Sequence, residues 1–247
     1  MSQSIHCSGA NTASGGEYEE IHCSGSLKIQ GDAACQALQN SGALKLAGSL
    51  VCTGELHSSG ALKIEGSVRT DRAKVSGSLK AEGNLHCVGN FRCSGSTALG
   101  GSLHVGSGSI SGACSVGGTL HGGELRVSGK LTAQEVEAES FTASGKLEIS
   151  GLLNAEKIEI EVGGSNEVGD IGCGTITVRR ISHGFSFGER VLRVKSIEGD
   201  TVDLECTQAE VVRGKNVRIG RNCRIGRVEY SGDLTVEGGE VGEQVRI

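Results

Sequence analysis

The sequence predicts an all-β fold: a β-solenoid, built as a three-sided, right-handed parallel β-helix of about 17–18 residues per coil. Three observations predict it. Gly occupies 42, 48, 54, 60 and 66, an unbroken period of six. Between these glycines stand the pairs Leu44/Leu46, Leu50/Cys52, Leu56/Ser58 and Leu62/Ile64, each two residues apart, which is the spacing of one face of a strand. The motif Leu-Lys-hydrophobic recurs at Leu27, Leu44, Leu62 and Leu79, at separations of 17, 18 and 17. Units of five or six residues, three to a coil, account for those separations. A Gly every six residues weakens any helix badly, so short strands with a bend after each are the physical solution.

The composition agrees. The 247 residues include 41 Gly, no Pro, no Trp and only 2% aromatics. A narrow solenoid core has no room for large rings and is filled by Leu, Ile, Val, Ala and Cys. The glycines do not follow a Gly-X-Y triplet and Pro is absent, which excludes collagen, and 36% hydrophobic residues in strict hexads argue against disorder. A net charge of −5 argues against nucleic acid as a partner. The N-terminus lacks a charged-then-apolar leader and no apolar run reaches transmembrane length, so a cytoplasmic location is expected, with reduced thiols.

Taken in order, residues 1–19 read as a polar segment that is at most a partial coil; within it SIHCSG at 4–9 foreshadows EIHCSG at 20–25. Hexads and shortened units run from 20 to 178. The remainder, 179–247, reads as a C-terminal β region. There, residues 181–206 lose the hexad and alternate at Val191, Arg193, Lys195 and Ile197, then Val202, Leu204 and Cys206, predicting two longer strands around a turn at Glu198-Gly199-Asp200. Hexads return with Gly at 214, 220, 226, 232 and 238.

The chemistry-bearing residues fall into columns. Cys23, Cys35, Cys52, Cys87 and Cys93 take the inward fourth place, where Cys serves as a small hydrophobe; Cys35 and Cys52 are one coil apart and are expected to stack. No C-x-x-C pair offers a zinc site. His86, His104 and His121 take the outward third place at separations of 18 and 17, which makes either a metal-binding ladder or, as a straight row favours, a solvated face. Lys28, Lys45, Lys63 and Lys80 form an outward basic column, with Glu65 and Glu82 nearby, suited to an anionic or protein surface or simply to solubility. No Ser/His/Asp cluster, Walker loop or dinucleotide fingerprint stands at meaningful spacing, so no catalytic residue, cofactor or metal is expected.

The hexads ALKLAG, SLVCTG, ELHSSG, ALKIEG, SLKAEG and KLEISG resemble those of bactofilins, the bacterial polymer-forming cytoskeletal proteins, over residues 20–178. The segment GERVLRVKSIEGDTVDLEC and the hexads after it are similar to the C-terminal part of longer members. The resemblance implies a right-handed β-helix that polymerises end to end without nucleotide. It also implies a scaffold whose partners are itself, other bactofilins and cell-envelope or motility proteins, held through them at the inner face of the membrane. Left-handed hexapeptide acyltransferases also use period six, but their coils are a strict 18; the five-residue units here favour the right-handed form. An enzyme of that class, or a metal-dependent hydratase, would draw on His57 or His86, and a surface-recognition solenoid is the third alternative. For the polymer, both ends supply the interface: Ile5 and Ile21 at one, Leu234, Val236, Val241 and Val245 at the other.

Overall fold

The computed structural model describes residues 3–181 and 189–247. Among them the regular structure is all β, and each of two compact units, Met1–Gly123 and Glu124–Ile247, is a right-handed parallel β-solenoid.

In the first unit the predicted columns are met residue for residue. Leu27 pairs with Leu44, Leu44 with Leu62, and Leu62 with Leu79, all in parallel. Ile29, Leu46 and Ile64 follow two places on, and these inward side chains are at most 3% exposed. A second face stacks Ala33, Leu50, Val68, Leu85 and Leu103. The third stacks Ile5, Ile21, Leu38, Leu56, Ala73 and Phe91. Backbone hydrogen bonds run from coil to coil, and inward residues meet their own kind above and below, so burial and hydrogen bonding are satisfied by one register.

Phe91 departs from the expectation that the core excludes aromatics. It is fully buried because its column neighbours are Ala73 and Gly108, whose missing volume admits the ring. Residues 3–19 also exceed the partial coil expected of them. Gln3–Cys7 and the first part of Ala10–Cys23 complete a turn paired to the next coil. In that coil Asn11 stands over Leu27 and Ala13 over Ile29, so polar and small residues replace the large apolar ones.

In the second unit the coils vary more in length. Leu131 pairs with Leu147, sixteen positions on, while Leu192 pairs with Thr207, fifteen positions on. Between Asn166 and its partner Leu192 the coil is 26 positions long. The turn expected at Glu198-Gly199-Asp200 is not a reversal. Val191–Leu204 is one strand, paired in parallel with Ser165–Arg180 on one side and Thr207–Ile219 on the other. Its alternation breaks because Ile197 and Val202 point into the core from successive faces, with Gly199 at the corner between them. A Cβ on Gly199 would lie 2.6 Å from Cys173 Sγ, so the glycine serves close approach between coils. Of the stretch 181–206, residues 182–188 lie outside the described residues.

Candidate functional site

Outward columns are the features that could carry function. On the first unit's Leu27 face, Lys28 is in register with Lys45, Lys45 with Lys63, and Lys63 with Lys80. The carboxylates found in the sequence reach across coils: Lys45 Nζ lies 2.7 Å from Glu65, and Lys63 Nζ lies 3.9 Å from Glu82. Hydrogen bonding by the Lys45 ammonium holds the Glu65 carboxyl below its usual range, and Glu65 raises Lys45 in return. Such exposed pairs contribute little stability each. Their effect is to join neighbouring coils and lower the net charge of the column.

His86 and His104 pair in register with ring centroids 6.0 Å apart, stacked, and His104 lies 5.7 Å from His121, tilted. The column is therefore real, and all three rings are exposed. Among the described residues, no group of three or more His, Cys, Asp or Glu is arranged to hold a metal. His57 stands on a different face, half-buried, with Nε2 3.0 Å from Ser59 Oγ, a contact between residues two apart beside a corner.

The surface residues of the polymer hypothesis separate. Ile21 is one coil in, covered by Ile5 on one side and Leu38 on the other, and only 1% exposed. Ile5 is the outer member of that column. In the second unit Leu234 continues the Val217 column, Val236 the Ile219 column and Val241 the Ile225 column. Gln244, not Val245, continues the Val228 column; Val245 lies beside the outward Glu229, displaced by one place. Leu234 and Val241 are half-buried and Val236 is 39% exposed.

The second unit is also laced with ion pairs. Asp203 receives both Arg179 and Arg218, and Arg218 reaches on to Glu237 at 2.7 Å. Glu148 accepts from Lys130 and Lys146, each at 2.7 Å, and these bonds hold its carboxyl down at about 2. These clusters tie coils together on the surface.

Two comparisons with known proteins bear on the chain. A 65-residue segment is 51% identical to the uncharacterized protein YhbF of Bacillus subtilis (strain 168), covering 26% of this chain and 28% of that protein. A 47-residue segment is 51% identical to the uncharacterized protein YhbE of the same organism, covering 19% and 20%. The chain thus matches less than a third of the length of either relative. No family model and no solved structure matches it. The similarity is to bacterial proteins, and the fold is a parallel β-solenoid of the kind bactofilins also adopt. Among the described residues, no helix is long and apolar enough to cross a membrane.

All ten cysteines are free, and nine are buried; Cys173 alone is half-buried. Cys35, Cys52 and Cys87 are therefore expected to resist a bulky maleimide in the folded protein, with any native labelling confined to Cys173. Mass spectrometry of the labelled peptides checks this, and rapid modification of Cys87 would show that its inward assignment is wrong. The columns missed by sequence spacing are those where a coil gains or loses a residue at a corner, as before Val245. The signal that could find them is Gly242, whose Cβ would lie 2.6 Å from the Gly226 carbonyl and which so marks a corner.

Proposed function

We propose that the chain is a non-enzymatic structural scaffold of the bactofilin kind, whose copies join end to end into filaments without nucleotide. The observation that supports this best is the outer coil of the second unit. Leu234, Val236 and Val241 prolong buried columns but are themselves part-exposed, and among the described residues Leu234–Val236 pairs in parallel with Thr207–Ile219 and Glu240–Arg246 with Arg224–Tyr230. A coil of another copy in the same parallel register would bury them and extend the hydrogen-bond ladder, just as each coil does for the last. The charged outward columns discourage association sideways. Other bactofilins and cell-envelope or motility proteins would then bind the assembled surface at the inner face of the membrane.

Sedimentation against protein concentration, with electron microscopy of the pellet, tests the reading. The wild type is expected to pellet as filaments at moderate salt. Val236→Lys is expected to leave short soluble species with an unchanged circular-dichroism spectrum, since the side chain is already 39% exposed. A wild type that stays monomeric at high concentration, or a Val236→Lys protein that pellets equally, would overturn it. Ile21→Lys is no test, because that residue is interior and its loss would break the coil.

A further inference from the structure

Arg180 and Arg221, in the second unit, stand outside the ion pairs that lace it. Arg179 and Arg218 share Asp203, and Arg218 also reaches Glu237 at 2.7 Å. Among the described residues, the guanidinium groups of Arg180 and Arg221 have neither a carboxylate partner nor a hydrogen-bond acceptor. Both line a cavity of about 720 Å³, whose wall also includes Glu205, Arg218, Asn222 and Glu237. That is the size of a small-molecule site.

The cavity lies at one corner of the solenoid. Gln208, Arg224 and Glu240 are in register at intervals of sixteen, so Cys206, Asn222 and Gly238, two places before each, stack as well. All three have a left-handed backbone, with φ of 49°, 59° and 81°. Glycine adopts that conformation freely, whereas Cys206 and Asn222 do so at a cost in free energy. Arg221 and Asn222 form the turn there. A turn that carries a left-handed residue gathers successive N–H groups into a concavity suited to an anion. Among the described residues, nothing accepts from the backbone N–H of Arg221, Asn222 or Gly238. The rest of the corner is engaged. The Cys206 N–H donates to the Arg221 carbonyl at 2.9 Å, and Asn222 Nδ2 donates to Cys206 Sγ at 3.7 Å.

We propose that this corner is a binding site for the phosphate monoester of a small polyhydroxy compound, such as a sugar phosphate. Two unpaired guanidinium forks and three free N–H groups exceed what the two oxygens of a carboxylate take up. They suit the three outer oxygens of a phosphate monoester.

The acidic side chains do not cancel this. Asp203 and Glu237 are neutralised by Arg179 and Arg218, which leaves Arg180 and Arg221 against Glu205 alone. Glu205 accepts the Arg180 backbone N–H at 3.5 Å through Oε2, and its Oε1 is free. A free carboxylate oxygen beside two guanidinium groups accepts from a ligand hydroxyl. The site therefore calls for an ester that carries hydroxyl groups, in preference to inorganic phosphate.

Isothermal titration calorimetry of the full chain, with glucose 6-phosphate, inorganic phosphate and glucose as probes, tests the site. Glucose 6-phosphate is expected to bind at one equivalent per chain. Inorganic phosphate should compete for the same site more weakly, and glucose should give no heat of binding. Arg180→Gln and Arg221→Gln should each weaken glucose 6-phosphate about tenfold, and the double variant about a hundredfold, as for the loss of charge-assisted hydrogen bonds. Arg92→Gln removes the same charge from the first unit and should change nothing. Glu205→Ala should narrow the margin between the ester and inorganic phosphate. Arg180 and Arg221 are exposed, so their variants are expected to melt like the wild type by circular dichroism. No binding of either phosphate probe, a double variant that binds like the wild type, or an equal loss in Arg92→Gln would overturn the proposal. So would inorganic phosphate bound as tightly as the ester, which would mark a general anion contact in place of a ligand site.

Discussion

Leu62→Asp is expected to destroy the solenoid around it. Leu62 is 2% exposed, clamped between Leu44 and Leu79 in the straightest column of the first unit. Truncating such a leucine alone costs about 2–5 kcal/mol. The aspartate adds a carboxylate that has no cation at that depth and must either stay charged in an apolar core or take up a proton. The sum exceeds about 4 kcal/mol, a large part of the stability of any domain. Because coils contact only their neighbours, loss begins with the flanking coils and spreads along the unit. Thermal melting by circular dichroism, with Leu62→Met as the volume-conserving control, measures it. A wild-type melting curve for the aspartate variant would refute the inward placement of the column.

Gly60→Ala, adding a single carbon, is expected to cost about 3 kcal/mol. Gly60 sits at a corner directly over Gly42. A Cβ there would lie 2.0 Å from the Gly42 carbonyl oxygen and 2.6 Å from the Ser41 carbonyl. Both are backbone atoms held by coil-to-coil hydrogen bonds, including the one from the Ala61 N–H to that same Gly42 oxygen. Neither can swing aside as a side chain could, so the coils must part. Gly9 occupies the equivalent corner of the outer coil, where a Cβ would meet nothing within 4 Å. Gly9→Ala is therefore the matched control and should melt like the wild type. Equal melting of all three proteins would mean that the corner glycines serve composition rather than contact.

The columns of the first unit were legible in the sequence because a six-residue spacing of glycine leaves inward residues at fixed offsets. Leu27, Leu44, Leu62 and Leu79, the lysines beside them and the histidines at 86, 104 and 121 all fall where that spacing puts them. What escaped was whatever depends on a neighbour one coil away. The ring of Phe91 is admitted by Ala73 and Gly108, which are distant in sequence. The run at 198–200 resembles a hairpin turn because a corner and a reversal use the same residue types. Val245 reads as inward by simple alternation from Val241 because the corner between them, which shifts the count by one, is not evident in the spacing. Of the stacked cysteines, Cys35 over Cys52 was expected from a one-coil spacing, whereas Cys7 over Cys23 escaped because residues 1–19 read as at most a partial coil.

The 26-position coil between Asn166 and Leu192 has a consequence for how such a chain changes over time. Parallel pairing resumes at Val191, and the inward register at Leu192, which is the partner of the buried Asn166. Length gained between two strands can therefore leave the inward register unchanged, whereas a single residue gained inside a strand would turn every later side chain of that strand to the wrong face. Inheritable variation should collect at the corners, and a gene for this fold can lengthen, shorten or acquire a new binding loop there in one step while its stacked columns stay as they are.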